Sequence, residues 1–427
     1  MTAAAACTAV LVAGCGGSNP SASGVEGDGS SNRKQDTRKS YDPPQTFSET
    51  GVPLPKEAAY GTQRTTFGSG QGWHGRPPIT LHHTRAFIAS PYDLQAVDTG
   101  NGRVTTVLPQ QNPLVSRQSV PSEELAGPPF ISDNGDVAVP FAVRIPGSGT
   151  TPDTRAVELI VVDASSAAAK WSTNLQLPEW AQKAFGDLTV KVVGGHSDIV
   201  LVQVSRSDFN EATAYAVNLR TRRSLWQKNV AATAVVGSTV TVLEGDDSDR
   251  HLKALDLATG EQAWADPEGA TYVRAATAGP NLLQYSGRQH TQGRYFAKFL
   301  DARTGKVLND IDNISDITCT YDGKSVTVCS GDFKNYSDDK RVFAVDATTG
   351  KQLWQLPDAA ANRIAPTITA VWNGRAYGTA QRRAIALDAR TGADANVSPG
   401  LAPGLVNGYT GLTMEEDGTV TAHPATS

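Results

Sequence analysis

The chain has 427 residues, with 38 Lys and Arg against 43 Asp and Glu and a formal net charge of −5. That length holds one large domain or two to three ordinary ones, and the charge balance excludes a strongly basic surface that grips a phosphate backbone, so nucleic acid is not an expected partner. Its 40 glycines and 24 prolines suit a turn-rich all-β chain.

The first predicted element is the apolar run Ala3 to Ala13, too short to span a hydrocarbon core. It ends in Leu11-Val12-Ala13-Gly14-Cys15, followed by Gly16-Gly17-Ser18, and small residues after an apolar run read as a signal peptide over residues 1–15. The motif resembles a bacterial lipobox. That resemblance implies lipidation at Cys15 and export to the cell membrane, lipid-anchored on the extracytoplasmic side. No Lys or Arg precedes the apolar run, so a start codon upstream of Met1 is expected. Residues 16–58 are Gly/Ser/Pro-rich, then charged at Arg33-Lys34-Gln35-Asp36, and hold too few apolar residues to order themselves. They are predicted to form a disordered tether of roughly 35 Å reach, with the folded domain at 59–427.

Internal repetition dominates the rest. Leu255-Asp256-Leu257-Ala258-Thr259-Gly260-Glu261-Gln262-Ala263-Trp264 recurs as Val345-Asp346-Ala347-Thr348-Thr349-Gly350-Lys351-Gln352-Leu353-Trp354. The frame returns at Asp301 with Gly305 and at Asp388 with Gly392, and more weakly at Asp98, Asp163 and Asn218. A truncated copy ends near His423. Apolar alternation before each Asp predicts a half-buried strand. The Asp can accept hydrogen bonds from its own turn, and Gly four residues later supplies a positive φ. Trp171, Trp226, Trp264 and Trp354 stand eight residues after the marker, in the next strand; Thr106, Asn309 and Asn396 replace them elsewhere. A further hairpin precedes each marker, with its turn at Asn134-Gly135, Gly194-Gly195, Gly237, Gly279, Asp322-Gly323, Asn373-Gly374 or Asn407-Gly408.

Two hairpins per repeat make one four-stranded antiparallel propeller blade. The expected fold is therefore an all-β, eight-bladed β-propeller, with seven blades as the alternative. Because the last copy stops after its third strand, Thr62 to Phe67 is the expected donor of the strand that closes the ring. The repeat, from about Ile79 to Thr426, resembles the quinoprotein-like (PQQ-type) propeller repeat. The resemblance implies two possibilities: a scaffold of cell-envelope machinery, or a dehydrogenase holding pyrroloquinoline quinone and calcium in a central funnel. The vicinal cysteine pair of the alcohol dehydrogenases is absent, since the cysteines are Cys7, Cys15, Cys319 and Cys329. No catalytic residue stands out, and a cofactor-free propeller is expected.

No metal site is expected either. His82-His83 falls in a hairpin turn with no third ligand near it in sequence, and Asp246-Asp247-Ser248-Asp249 and Ser337-Asp338-Asp339 lack the Gly and distal Glu of a calcium loop. Cys319 and Cys329 flank Asp322-Gly323. A five-residue loop from Asp322 to Val326 would set them opposite each other, giving a disulfide; two buried thiols are the alternative.

Within a blade the first and third connections share one face of the ring, and here they are short. The second connections and blade crossings share the other and vary in length: Gln110–Pro128, Ile145–Arg155, Ser205–Ala212, Gly245–Arg250, Gly287–Arg294 and Gly331–Lys340. Recognition concentrates on such loops, so Asp208, Phe209, Asp246, Asp247, Phe333 and Tyr336 are candidate partner contacts. The expected partner of this monomer is a protein or another cell-envelope component. Changing Cys15→Ala should release the protein to the medium in cell fractionation; retention on the membrane would contradict the lipobox assignment.

Overall fold

The computed structural model describes residues 38–60, 63–64, 73–74, 77–115, 126–182, 188–206, 211–246, 248–290, 293–333, 340–395 and 398–427. Strands with apolar alternation pair with their sequence neighbours, as an antiparallel meander requires. Among the described residues seven such sheets follow one another, one of them eight-stranded and divisible into two four-stranded units, and the resulting units are numbered as blades 1–8. Blade 1 spans residues 79–107, blade 2 112–176, blade 3 189–228 and blade 4 231–265. Blade 5 spans 270–312, blade 6 314–356, blade 7 367–388 and blade 8 405–424. The strands of blades 4 and 5 are joined into one sheet by the single ladder pair Arg250–Ala270. The innermost strands of successive blades meet, as 189–196 does with 231–236.

The core is distributed between blades. Phe87 of blade 1 packs with Val137 and Phe141 of blade 2. Phe299 of blade 5 meets Phe343 of blade 6 edge-on at 6.5 Å. Leu412 and Ala422 of blade 8 share a cluster with Ile79 and Ile88 of blade 1, which joins the last blade to the first. Each such large apolar side chain contributes about 1.5–3 kcal/mol on burial.

The marker-plus-eight residue stands on the outermost strand of its blade and reaches the next one. Trp226 donates its indole N–H to the carbonyl of Leu257, Trp264 to Ala302 and Trp354 to Ala389, each at 2.8 Å. Asn309 substitutes with a 2.9 Å bond to the Gly350 carbonyl. The turn glycine lies under the ring: a Cβ on Gly305 would come within 2.8 Å of Trp264, and one on Gly392 within 2.6 Å of Trp354. Both glycines also have φ of +71°. In blades 2 and 3 the place is held by Ala167 and Arg222, at φ +59° and +58°, and the Arg222 guanidinium lies over the Trp171 ring.

Four expectations need correction. The strand that completes blade 8 is Val52–Pro53, paired with Ala422 and Thr421, whereas Gln63–Arg64 pairs with Trp73–His74. An edge strand needs only one paired side, so a short Pro-containing segment suffices. The tether does not extend to residue 58, because the compact unit begins at Arg38. Trp372 donates to Asp42 at 2.8 Å, the Tyr377 hydroxyl to the Pro44 carbonyl at 2.6 Å, and Phe47 and Leu54 are buried. A handful of apolar anchors orders a stretch whose composition predicts disorder. Gly194-Gly195 lies inside a strand, beside a bulge, and the turn falls at Ser197-Asp198. Finally, the insertion after Gln110 splits the innermost strand of blade 2: Asn112–Pro113 and Phe130–Ile131 pair with opposite halves of 136–145.

Phe47→Ala should lower stability by about 3–5 kcal/mol in urea unfolding, where a tether residue would give no change. Gly392→Ala should cost about 2 kcal/mol or more, because it combines left-handed strain with overlap on Trp354.

Candidate functional site

The Asp-x-x-x-Gly turns are occupied with their own geometry. Asp256, Asp301, Asp346 and Asp388 each accept from the backbone N–H and the hydroxyl of the threonine three residues on. Asp163 does the same with Ser165 and Ser166, while Asp98 accepts from Gly100 N–H and pairs with Arg38 at 3.0 Å. The hydrogen bond from Ser165 is the main cause that holds the Asp163 carboxyl down at about 2. Polar bonds also lace neighbouring blades on this face: Asn134 to Asp198 at 2.7 Å, Gly374 N–H to buried Asp322 at 3.1 Å, and Asn407 to the His83 carbonyl at 2.7 Å. These carboxylates are structural.

Cys319 and Cys329 form a disulfide with Cα atoms 4.1 Å apart. The loop Asp322 to Val326 sets the register, and the Asp322 carboxylate accepts from the N–H groups of Lys324, Ser325 and Val326. His82 and His83 stack edge-on at 4.3 Å beside the turn; burial, then the neighbouring ring, pushes the His82 pKa down. Among the described residues no three His, Cys, Asp or Glu side chains converge to hold a metal ion.

Two cavities open on the other face, among second connections and blade crossings. The larger, about 510 Å³, lies between blades 7 and 8 and is lined by Phe47, Thr369, Arg382, Leu401, Met414 and His423, with Glu49, Glu415 and Glu416. His423 is 7% exposed, its Nδ1 facing the Ser48 carbonyl at 2.9 Å and its Nε2 the Thr413 hydroxyl at 2.9 Å. Thr413 in turn donates to Glu415 at 2.8 Å, a polar chain from the cavity floor to its rim. The smaller, about 200 Å³, lies between blades 5 and 6 and is lined by Tyr272, Arg274, Ser286, Tyr295 and Asp316.

The sequence candidates are only partly gathered here. Asp246 is exposed and accepts from Ser248 and Asp249, which caps its own hairpin. Phe333 is not a loop residue: it ends strand Val326–Phe333, half-buried under the Arg341 guanidinium at 4.3 Å. Cys15, Asp208, Phe209, Asp247 and Tyr336 lie outside the described residues. Sequence reasoning missed Tyr272, the most exposed large hydrophobic side chain described at 70%, held at φ +53° beside the smaller cavity. Its only signal was an aromatic at a bulge that periodicity cannot locate.

This fold of interlocked four-stranded sheets is a β-propeller. Residues 248–398 match the family model described as outer membrane protein assembly factor BamB. Similar solved structures include BamB from Moraxella catarrhalis, at 16% identity and TM-score 0.43, covering 81% of this chain and 93% of that one. Quinohemoprotein alcohol dehydrogenase from Comamonas testosteroni is 12% identical with TM-score 0.47, covering 89% and 77%. The search of curated proteins finds no match.

The depressed Asp163 pKa has a checkable sign. Its stabilisation is present above the usual carboxylate range and is lost as pH falls through about 2. An NMR titration should show Asp163 titrating near that value and rising in Ser165→Ala; an unchanged pKa in the variant would contradict the cause.

Proposed function

We propose that this protein is a lipid-anchored, extracytoplasmic propeller that works as a binding and assembly scaffold without catalysis. It holds a protein partner of the cell envelope on the face formed by the second connections and blade crossings. One observation carries the reading: two cavities, and the exposed Tyr272, lie on that face, while the opposite face spends its carboxylates on turns and inter-blade bonds. The family match supports it, because the matching model is described as an assembly factor. Aromatic anchors next to concave surface are where binding energy concentrates. The rival reading, a quinone-dependent dehydrogenase, has no specific observation in its favour here.

A crosslinking pull-down from intact cells compares the native protein with Tyr272→Ala. Tyr272 is exposed and left-handed, so the change should alter stability by less than about 1 kcal/mol. A partner captured by the native protein and lost in the variant is expected. Equal capture, with contacts mapping to the Asp-x-x-x-Gly turns, would place the functional face on the wrong side.

A further inference from the structure

The interface between blades 5 and 6 holds two buried polar groups that the fold leaves without partners. On strand Leu282–Gln289, Leu283 and Tyr285 pack toward blade 4, so alternation turns Gln284 and Ser286 toward blade 6. Gln284 is 2% exposed, and its Nε2 amide meets no acceptor. Ser286 is 7% exposed and lines the cavity of about 200 Å³, yet its hydroxyl has no hydrogen-bond partner among the described residues. Buried polar groups are rarely left so. Gln284 stands two residues deeper than Ser286 on the same strand face.

Two bulges build the rim of this cavity. The innermost strands of blades 5 and 6 both shift register, between Thr271 and Arg274 and between Ser315 and Thr318. Within the bulges Tyr272 and Asp316 take up left-handed backbone, at φ +53° and +48°, which residues other than glycine seldom adopt. Arg274 approaches Asp316 at 3.9 Å, beyond hydrogen-bond distance, and neither side chain makes a hydrogen bond within the described residues. A donor fork and an acceptor pair therefore stand beside the exposed ring of Tyr272, while Ile314 and Ile317 supply apolar wall.

This mixture selects a ligand. An anion alone would meet Asp316, a cation alone would meet Arg274, and a purely apolar group would leave Ser286 and Gln284 unmet. A sugar ring offers hydroxyl donors and acceptors to Arg274 and Asp316, and its C–H face to the Tyr272 ring. The cavity suits a single ring, being smaller than the roughly 300–1,000 Å³ of sites for larger ligands. An acetamido substituent matches the remainder: its carbonyl accepts from Ser286 and, behind it, Gln284, and its methyl group meets Ile314 and Ile317.

We propose that the cavity between blades 5 and 6 binds an N-acetylated hexose, free or at the end of a glycan chain. The inference goes beyond the protein-partner reading and does not rest on it.

The test uses the purified full chain in a detergent without sugar, with saturation-transfer difference NMR on N-acetylglucosamine. Saturable transfer is expected, strongest at the acetyl methyl protons. Ser286→Ala removes a hydroxyl without a partner, so its thermal melt should match that of the native protein while binding weakens about tenfold, the scale of one hydrogen bond. Tyr272→Ala should weaken binding by a similar factor through loss of the ring contact. Glucose, which lacks the acetamido group, should bind at least about tenfold more weakly. Tighter binding of an N-acetylglucosamine tetramer would support a glycan chain as the source, and equal affinity the free sugar. No transfer from N-acetylglucosamine, equal binding of glucose, or unchanged binding in Ser286→Ala would overturn the proposal. Loss of partner capture in cells by Tyr272→Ala alongside a negative sugar result would leave the protein-partner reading standing and sink only this ligand.

Discussion

The structure depends on a contact between consecutive blades: a side chain on the outermost strand of one reaching the Asp-x-x-x-Gly turn of the next. The indoles of Trp226, Trp264 and Trp354 supply a ring that covers the turn and an N–H that satisfies a carbonyl there. The glycine below must be small and left-handed at once, a demand no other residue meets without strain. The same Asp also closes its own turn, so each repeat's short motif serves both its own blade and its neighbour. Where the motif weakens, at Ala167 and Arg222, the backbone keeps the left-handed conformation and the packing is rebuilt around it.

That contact divides the molecule into two unlike faces. The turn face is knitted by the repeat itself, with polar bonds such as Asn134 to Asp198 running between blades. Its side chains are committed to the scaffold. The opposite face carries connections that the repeat does not constrain, and there the interfaces between blades 5 and 6 and between blades 7 and 8 open into cavities. Loops on a rigid scaffold are free to differ without cost to the core. The proposed recognition surface follows from this asymmetry.

The propeller was legible in the sequence because its frame is local: an Asp, a Gly four residues on and a Trp eight residues on appear as letters at fixed spacing. The pairing of Cys319 with Cys329 was legible as one of two alternatives, since loop length sets register. Ring closure was not legible. The closing segment bears no strand pattern; it is held by isolated residues, Phe47, Val52 and Leu54, whose backbone partners Ala425, Ala422 and Val420 lie at the far end of the chain. Composition over a window averages such anchors away and reports a tether. The cavities were equally hidden, because they lie between neighbouring blades, 5 and 6 or 7 and 8, rather than in a motif. Tyr272 was missed for a related reason: a bulge shifts the register, and the side chain that alternation would bury is exposed.

The central claim is that one face holds the ring together and the other holds the partner. A photo-crosslinking amino acid placed in intact cells at Tyr272 or Arg382, on the second-connection face, and at Arg303 or Lys306, in a turn of the opposite face, tests it most directly. The account predicts crosslinked adducts of one higher mass from Tyr272 and Arg382, and none from Arg303 and Lys306. Adducts from the turn positions alone would contradict it.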